Sequence, residues 1–263
     1  MAQAPGALSE VADFAPPNVP RLDGVRVAMI NWRDPWQTVA GGAERYAWQL
    51  SRQLQARGAI VHFVTSRESG QPRAEERNGV RISRMGGTYT RYPRVLAWLL
   101  RRRGGFDVAI DCMNGIPFFS PLALNRRTKV VLLVHHVHDR QFFVYFGKTL
   151  ATFGRFLEGP VARRVYRNRP VVAVSPSTAH ALREQLRLTG PIFLVPNGAP
   201  RPTTHLPAAP AAGPSLVFVG RLVAHKRVDQ IIRVAGTLRE RWPHLRLHIV
   251  GRASVRGVCP RPG

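Results

Sequence analysis

The amino-acid sequence predicts an α/β fold built on a doubly wound parallel sheet. Short apolar runs alternate with stretches of helical periodicity along most of the 263 residues, which is the order that repeated strand–helix–strand units produce. Most of these runs are continuously apolar, with no alternation of polar and apolar residues. Continuous runs are typical of strands that are buried on both faces of a parallel sheet.

Seven strands are predicted ahead of residue 199. They cover residues 25–30, 60–65, 80–84, 108–111, 130–135, 171–175 and 192–195. A helix is predicted between the first two strands, because Ala43, Ala47, Leu50 and Leu54 recur at helical spacing and Gly58 follows as a stop signal. We assign residues 21–198 to one Rossmann-like α/β domain on this pattern.

The remaining segments differ from this domain in composition. Residues 1–20 are rich in Ala and Pro and lack periodicity, which predicts a disordered leader. Residues 199–214 contain five prolines, which is typical of an interdomain linker. Strands at 216–219 and 245–250, with a helix between them, then restart the α/β pattern. Since a domain usually needs about 100–150 residues, we expect residues 215–263 to form an incomplete second domain.

The charge balance is strongly basic. The net charge is +24 at pH 7, and only three of the 39 basic residues are lysines. A field of this sign suits nucleic acid, phosphorylated substrates or an anionic membrane. Because the arginines are scattered along the chain, we attribute the charge to a compositional bias. Residues 91–103 are basic and aromatic and would suit a helix on an anionic membrane, but a buried crossover helix with its arginines at the ends agrees better with the fold.

Cysteine content and the amino-terminal residues indicate the compartment. Cys112 and Cys259 are too few for a disulfide framework or a four-cysteine zinc site. Glu10 and Asp13 stand where a secretion signal would be apolar. No apolar run approaches the roughly 20 residues of a membrane-spanning helix. We expect a cytoplasmic protein, with a peripheral contact to the inner face of the cell membrane left open.

Two motifs in the first domain have the composition of a ligand site. Gly41 and Gly42 precede the first helix, where small residues and free N–H groups admit an anion, although no G-x-G-x-x-G follows the first strand. His135 and His136 end a buried strand, at the edge of a parallel sheet where ligands gather. With Asp139 they raise the alternative of a metal site, but neighbouring strand residues point to opposite faces. We favour a polar contact from His135 to a substrate over a purely structural histidine.

A third motif follows the first strand of the second domain. Arg221 and Lys226 are separated by a short strand-to-helix turn, so both side chains can reach one mouth of the sheet. Two cations at that position would bind a diphosphate, the arginine by a bidentate fork and the lysine as a point charge. Lys226 is the more informative of the two, because lysine is rare in this chain.

Together these segments resemble a family-4 glycosyltransferase of the GT-B architecture, in which two Rossmann-like domains face each other. The matching stretches are GGAERYAWQLSRQLQARG, VVLLVHHVHD, VVAVSPSTAHAL, IFLVPNGAP and LVFVGRLVAHKRVDQII. Their order matches the family from about residue 25 to residue 251. The resemblance implies transfer of a hexose from a nucleotide-sugar donor to a glycan or lipid-linked acceptor with retention of anomeric configuration. It also implies no metal and no other cofactor.

The resemblance implies roles for individual positions. Gly41 and Gly42 would face the donor diphosphate and the acceptor, and His135 would lie near the donor sugar, with His136 as the second candidate. Arg221 and Lys226 would bind the donor diphosphate. Asn197 would belong to the turn that leads into the linker. Residues from Arg252 onward match nothing in the family. The pair of glutamates that the family normally carries beyond this point is missing from this chain, so we expect a carboxyl-terminal truncation and no transfer activity in this chain.

The basic charge is also compatible with a different class of function. A non-catalytic basic protein that binds nucleic acid or an anionic membrane surface would also account for the charge. The motifs favour the transferase, whose partners would be a nucleotide-sugar donor and a glycan or lipid-linked acceptor, with no nucleic acid.

Overall fold

The structure of the protein is a computed structural model, which describes residues 20–87, 90–139, 142–198 and 213–251. The chain divides into two compact units, Met1–Pro200 and Arg201–Gly263. Residues 1–19 of the predicted leader, residues 199–212 of the predicted linker and residues 252–263 of the carboxyl-terminal tail lie outside the described ranges.

The first unit is built on an eight-stranded sheet. Its strands are β1 (Arg26–Ile30), β2 (Ile60–Thr65), β3 (Ala74–Arg77), β4 (Val80–Arg84), β5 (Val108–Asn114), β6 (Lys129–His136), β7 (Val171–Ala173) and β8 (Ile192–Leu194). They lie in the order β3-β4-β2-β1-β5-β6-β7-β8, and every pairing is parallel except that of β3 with β4. The predicted α/β class with a Rossmann-like parallel sheet is confirmed.

The helices of the first unit follow the strands as crossover connections. They are α1 (Gly42–Ala56), α2 (Arg91–Leu100), α3 (Phe142–Tyr145), α4 (Lys148–Phe156), α5 (Ala162–Val165) and α6 (Pro176–Glu184). A short π-helical segment, Leu157–Val161, joins α4 to α5 and contains Pro160. Within the described ranges, no helix combines the length and the apolar character that crossing a membrane requires.

Both faces of the sheet are covered, which explains the continuous apolar runs. On β1, Val27 and Met29 pack in one cluster with Trp48 of α1. Ala28 and Ile30 pack on the opposite face. Successive strand residues point to opposite faces, so a strand covered on both sides must be apolar at every position.

Several predicted strand boundaries differ from the observed ones. β5 continues past the predicted end at Asp111, because its pairing with β6 runs on to Asn114 and His136. Asp111 itself is fully buried and accepts hydrogen bonds from the backbone N–H groups of Phe118 and Ser120, both at 3.0 Å. β7 ends at Ala173 instead of residue 175, because Ser175 caps α6 by accepting a hydrogen bond from the Thr178 N–H at 3.1 Å. β3 was not predicted at all, since its sequence AEER is polar and short.

The segment predicted at residues 91–103 is the crossover helix α2. Val95 and Leu99 are fully buried in the core, and Trp98 packs against it. Arg91 departs from the expectation that the arginines extend to solvent at the helix ends. It is 8% exposed, with its guanidinium carbon 5.1 Å from the Trp32 ring centre.

The described part of the second unit is a single β-α-β element. Strands β9 (Ser215–Val219) and β10 (Arg246–Val250) pair in parallel, and helix α7 (Val228–Arg241) connects them. Among the described residues of this unit, only Ala235 and Leu245 are buried. Apolar strand residues such as Val217 and Val219 are 64% and 75% exposed.

Candidate active site

The carboxyl edge of the sheet in the first unit collects the predicted glycine and histidine motifs. Gly41 is the N-cap of α1, in extended conformation, and Gly42 is its first helical residue. A Cβ atom added to Gly42 would meet no atom within 4 Å, so the space above the start of α1 is open. Open space and free N–H groups at a helix amino terminus are the features that admit an anion.

Glu44 holds this helix start in place. The Gly41 N–H donates to Glu44 Oε2 at 2.8 Å, and the Trp32 indole N–H donates to Glu44 Oε1 at 3.0 Å. Glu44 is 4% exposed, so both of its oxygens are committed inside the protein. The glutamate of the GGAER motif therefore fixes the long connection between β1 and α1 against the helix.

Three polar residues end neighbouring strands beside this connection. Asn31 follows β1 and is fully buried, and its Oδ1 accepts a hydrogen bond from Asn114 Nδ2 at 3.2 Å. Asn114 ends β5 and pairs in register with His136 at the end of β6, after an irregularity between Met113 and Asn114. Neither asparagine belongs to a local sequence motif, because each becomes recognisable only when the strand order is known.

His135 and His136 occupy different environments, as their neighbouring strand positions require. His136 is exposed, and its ring lies 5.4 Å from that of His138. His135 is partly buried, and its ring meets Tyr46 of α1 edge-on at a centroid distance of 5.0 Å. Burial lowers the pKa of His135 to about 4, so the ring is neutral at neutral pH.

One nitrogen of His135 is left unsatisfied. Its Nε2 is shielded from solvent and has no hydrogen-bond partner among the described residues. Buried polar atoms without a partner are rare and call for an explanation such as a ligand.

Tyr46 connects the histidine to two other motifs. It lies one turn into the helix that Gly41 and Gly42 begin. Its hydroxyl donates to the carbonyl of Val195 at 3.4 Å, two residues before Asn197. Asn197 itself is exposed. The structure therefore brings the glycine motif, His135 and the segment leading to Asn197 into one neighbourhood.

The turn after β6 rests on Glu158, a residue that the sequence analysis missed. The backbone N–H groups of His138 and Asp139 donate to its two carboxylate oxygens at 2.7 and 2.8 Å. Glu158 is 1% exposed and lies in the π-helical segment. Burial raises its pKa to about 7, and the two backbone hydrogen bonds oppose that shift. No local sequence signal identifies such a long-range anchor.

The third motif forms the expected turn in the second unit. Arg221 and Lys226 lie between β9 and α7, where the Val223 N–H donates to the Arg221 carbonyl at 3.0 Å and the Lys226 N–H donates to the Val223 carbonyl at 2.9 Å. Residues 224–226 form one turn of 3₁₀-helix, and both Arg221 and Lys226 are exposed. Two cations therefore share one strand-to-helix turn, at the carboxyl end of a parallel strand.

The histidine motif and Asp139 raised a metal site as an alternative. Within the described ranges, no group of three or more His, Cys, Asp or Glu side chains converges as a metal site would require. Asp139 instead pairs with Arg155, whose Nε lies 2.7 Å from its Oδ1.

The first unit is a Rossmann-like α/β domain whose glycine and histidine motifs lie at the carboxyl edge of its parallel sheet. The model of the family described as Glycosyltransferase Family 4 matches residues 40–201, and the chain belongs to this family. A comparison with curated proteins finds no match. The family places the chain among enzymes that transfer a sugar from a donor to an acceptor, as the resemblance predicted.

Proposed function

We propose that the protein is the acceptor side of a retaining glycosyltransferase, an enzyme that transfers a hexose from a nucleotide-sugar donor to a glycan or lipid-linked acceptor. The first unit would bind the acceptor and the second would bind the donor nucleotide. The observation that carries the proposal is the unsatisfied Nε2 of His135, held by Tyr46 beside the open start of α1. A neutral imidazole can both donate a hydrogen bond to a sugar hydroxyl and accept one from it.

During transfer the protein has to stabilise the leaving group. The bond between the anomeric carbon and the diphosphate oxygen breaks, and its electron pair stays on the departing nucleoside diphosphate. A new bond forms from the acceptor oxygen to the anomeric carbon on the face that the diphosphate leaves, and the acceptor hydroxyl gives its proton to the departing diphosphate oxygen. Arg221 and Lys226 would stabilise the charge that develops on the diphosphate, which is the kind of electrostatic contribution that dominates many enzymatic rate enhancements. Neither residue needs a metal for this role.

Binding of a nucleoside diphosphate tests the proposal directly. We expect the Lys226→Ala variant to bind nucleoside diphosphates more weakly by on the order of 1.5–3 kcal/mol, because one charge-assisted interaction is lost. Titration calorimetry on the full chain with a panel of nucleoside diphosphates would measure this, followed by transfer assays with the matching nucleotide sugars.

Arg239→Ala is the matched control, since Arg239 is a basic residue in the last turn of α7 in the same unit. An equal loss in both variants would show only an effect of net charge. Unchanged affinity in Lys226→Ala would remove Lys226 from the donor site.

A further inference from the structure

Arg91 is a buried cation without a counter-charge among the described residues. It is the first residue of α2 and is 8% exposed, and its Nε is shielded from solvent with no hydrogen-bond partner in the described part of the chain. Burial lowers the pKa of Arg91, and no carboxylate opposes that shift. Arginines are seldom buried unless they are paired, because an uncompensated buried charge is strongly destabilising. An unpartnered buried group of this kind calls for an explanation such as a ligand.

The surroundings of Arg91 are themselves positively charged. The guanidinium carbons of Arg91 and Arg33 lie 5.1 and 4.1 Å from the centre of the same Trp32 ring. Arg91 also begins a ten-residue helix that has no acidic residue in its first turn. The amino terminus of a helix carries the positive end of its dipole, which stabilises an anion and disfavours a cation. Two guanidinium groups and a helix start therefore meet in one neighbourhood, and all three favour an anion.

The carboxylates of the neighbouring β1–α1 connection have other partners. Asp34 pairs with Arg84, and both side chains are buried. Glu44 accepts the indole N–H of Trp32 at 3.0 Å, so it holds the ring that both arginines contact. Neither carboxylate is among the groups that shift the pKa of Arg91. The charge of Arg91 is therefore left for a group from outside the described residues to compensate.

The aromatic rings beside Arg91 cannot replace an anion. Its guanidinium carbon lies 5.1 Å from the ring centre of Trp32 and 5.7 Å from that of Tyr92. A ring attracts a cation through its quadrupole, but it accepts none of the parallel hydrogen bonds that the guanidinium fork can donate. Room for a ligand exists beside this turn. A Cβ atom added to Gly87, whose carbonyl accepts the Arg91 N–H at 3.1 Å, would meet no described atom within 4 Å.

This cluster lies at the same edge of the sheet as His135. Trp32 follows β1, His135 belongs to the end of β6, and β5 is the one strand between β1 and β6. Since neighbouring strands are about 4.8 Å apart, the ends of β1 and β6 are about 10 Å apart. A small phosphorylated molecule can span a distance of this order, with its phosphate on one side and a hydroxyl on the other.

We infer that Arg91, with Arg33 beside it, binds a phosphate group carried by the acceptor. The arginine fork donates two parallel hydrogen bonds to two oxygens of a phosphate, which a lysine cannot do. The inference deepens the proposed function and rests on it for the identity of the ligand as the acceptor. It names the acceptor class as a sugar or polyol phosphate, free or lipid-linked, whose hydroxyl lies toward His135.

Phosphate-dependent stability of the full chain tests the inference. We expect inorganic phosphate and glycerol 3-phosphate to raise the Tm more than chloride does at equal ionic strength, because a ligand of the folded state stabilises it. Arg91→Met should abolish this rise and weaken phosphate binding about ten-fold or more in titration calorimetry, because charge-assisted hydrogen bonds are lost. In phosphate-free buffer this variant should melt no lower than the native chain, because it removes an uncompensated buried charge.

Arg102→Met is the matched control. Arg102 follows the same helix, is exposed, and lies with its guanidinium carbon 4.3 Å from the Trp98 ring centre. The control therefore removes the same charge from the same kind of aromatic contact, and the response to phosphate should persist. As a second variant, Arg91→Lys keeps the charge without the fork, and it should bind phosphate with an affinity between those of the native chain and Arg91→Met.

Dimethyl phosphate distinguishes the two sources of the phosphate group. A rise in Tm with glycerol 3-phosphate and none with dimethyl phosphate would indicate a monoester, as in a free sugar or polyol phosphate. An equal rise with both would indicate a diester, as in a lipid-linked acceptor.

Several results would overturn the inference. These are no rise in the Tm of the native chain with phosphate, a rise that persists in Arg91→Met, equal losses in Arg91→Met and Arg102→Met, or a lower Tm of Arg91→Met in phosphate-free buffer. Loss of nucleoside diphosphate affinity in Arg91→Met would assign the residue to the donor instead. Phosphate binding needs neither donor nor transfer, so its failure is distinguishable from failure of the Lys226→Ala experiment.

Discussion

Glu158 shows how one buried carboxylate can organise a strand end. It accepts the N–H groups of His138 and Asp139, so it holds the chain immediately after His136 in a fixed turn. Asp139 adopts a positive φ of 36°, a conformation that most side chains disfavour and that such anchoring stabilises. The π-helical segment around Glu158 is a local irregularity of a kind that often marks functional regions.

Replacing this carboxylate should change how stability depends on pH. The pKa of Glu158 is about 7 in the folded protein against an ordinary 4.5, so the folded state binds the proton more tightly and native stability from this group falls as the pH rises from about 4.5 to about 7. The neutral Glu158→Gln variant lacks this loss. It should therefore gain stability relative to the native protein by on the order of 3 kcal/mol across that window.

Urea denaturation of both proteins at a series of pH values measures the difference. The Gln variant should also carry a constant deficit of about 1–3 kcal/mol, because an amide has one acceptor oxygen for two N–H groups. A stability difference that does not change with pH would mean that Glu158 does not titrate in this range.

The role of the His135 Nε2 can be tested separately from the packing of the His135 ring. His135→Phe keeps an aromatic ring against Tyr46 and removes the unsatisfied Nε2. In a form of the enzyme that is active, we expect transfer to fall about 10–100-fold, the usual cost of one hydrogen-bonding group at a reaction centre, while the unfolding free energy changes by less than about 1 kcal/mol. Turnover per folded molecule and thermal melting give the two quantities.

His62→Phe provides the comparison for His135. His62 is a second partly buried histidine with a pKa of about 4, but its Nε2 is satisfied by the Ser83 hydroxyl at 2.8 Å. Its replacement should cost stability and leave turnover per folded molecule unchanged. If both variants behave alike, His135 has a structural role and no contact with substrate.

Arg84 joins three segments of the first unit through a buried ion network. It is the last residue of β4, and it pairs with Asp34 in the connection after β1 and with Glu75 of β3. The side chains of Arg84 and Asp34 are 1% and 0% exposed. This network fixes both the start of the connection that leads to Gly41 and the edge strand β3.

Breaking that network should lower the free energy of unfolding substantially. Asp34→Ala removes one of the two carboxylates that pair with the buried Arg84 guanidinium and leaves only Glu75. We expect the unfolding free energy to drop by about 3–5 kcal/mol. Urea denaturation measures the change. Glu76→Ala is the control on the same pair of strands, because its partner Arg81 is exposed and lies at 3.9 Å, so the loss should stay below about 1 kcal/mol. Comparable losses in the two variants would contradict the role of the network.

The elements differed in how far the sequence could predict them. Strands β2 and β4 were predicted with their observed bounds, because burial on a covered face leaves an apolar signature that needs no knowledge of partners. β3 has no such signature, since it exists by pairing with β4 and through the Glu75–Arg84 contact. The same reasoning explains why Gly42 and His135 could be proposed from local motifs, whereas Asn31 and Glu158 depend on contacts between distant segments.

The two units differ in how much apolar surface they bury. The first unit has two clusters of buried residues on opposite faces of its sheet. The described part of the second unit buries only Ala235 and Leu245, and leaves Ile232 and Val234 of α7 more than half exposed. Since burial of apolar surface is the main stabilising contribution to folding, the second unit should open far more readily than the first.

Limited proteolysis should reveal this difference. Trypsin has many arginine sites in both units, so access to them depends on local opening. We expect cleavage in residues 213–251 to be about ten-fold or more faster than in the first unit, leaving a resistant fragment that mass spectrometry assigns to residues before 213. Equal cleavage rates in the two units would contradict this expectation. Repetition with a bound nucleoside diphosphate would show whether the donor protects the second unit.

The two ends of the eight-stranded sheet also differ chemically. At one end lies β3, a short antiparallel strand with the sequence AEER, whose charges discourage the addition of a further strand. At the other end lies β8, where Phe193 and Leu194 are about half exposed. Among the described strands, sheet extension is thus favoured at β8 over β3. Two copies that joined through their β8 strands would form a closed, symmetric pair with a charged strand at each outer end, and this asymmetry works against open-ended fibrils.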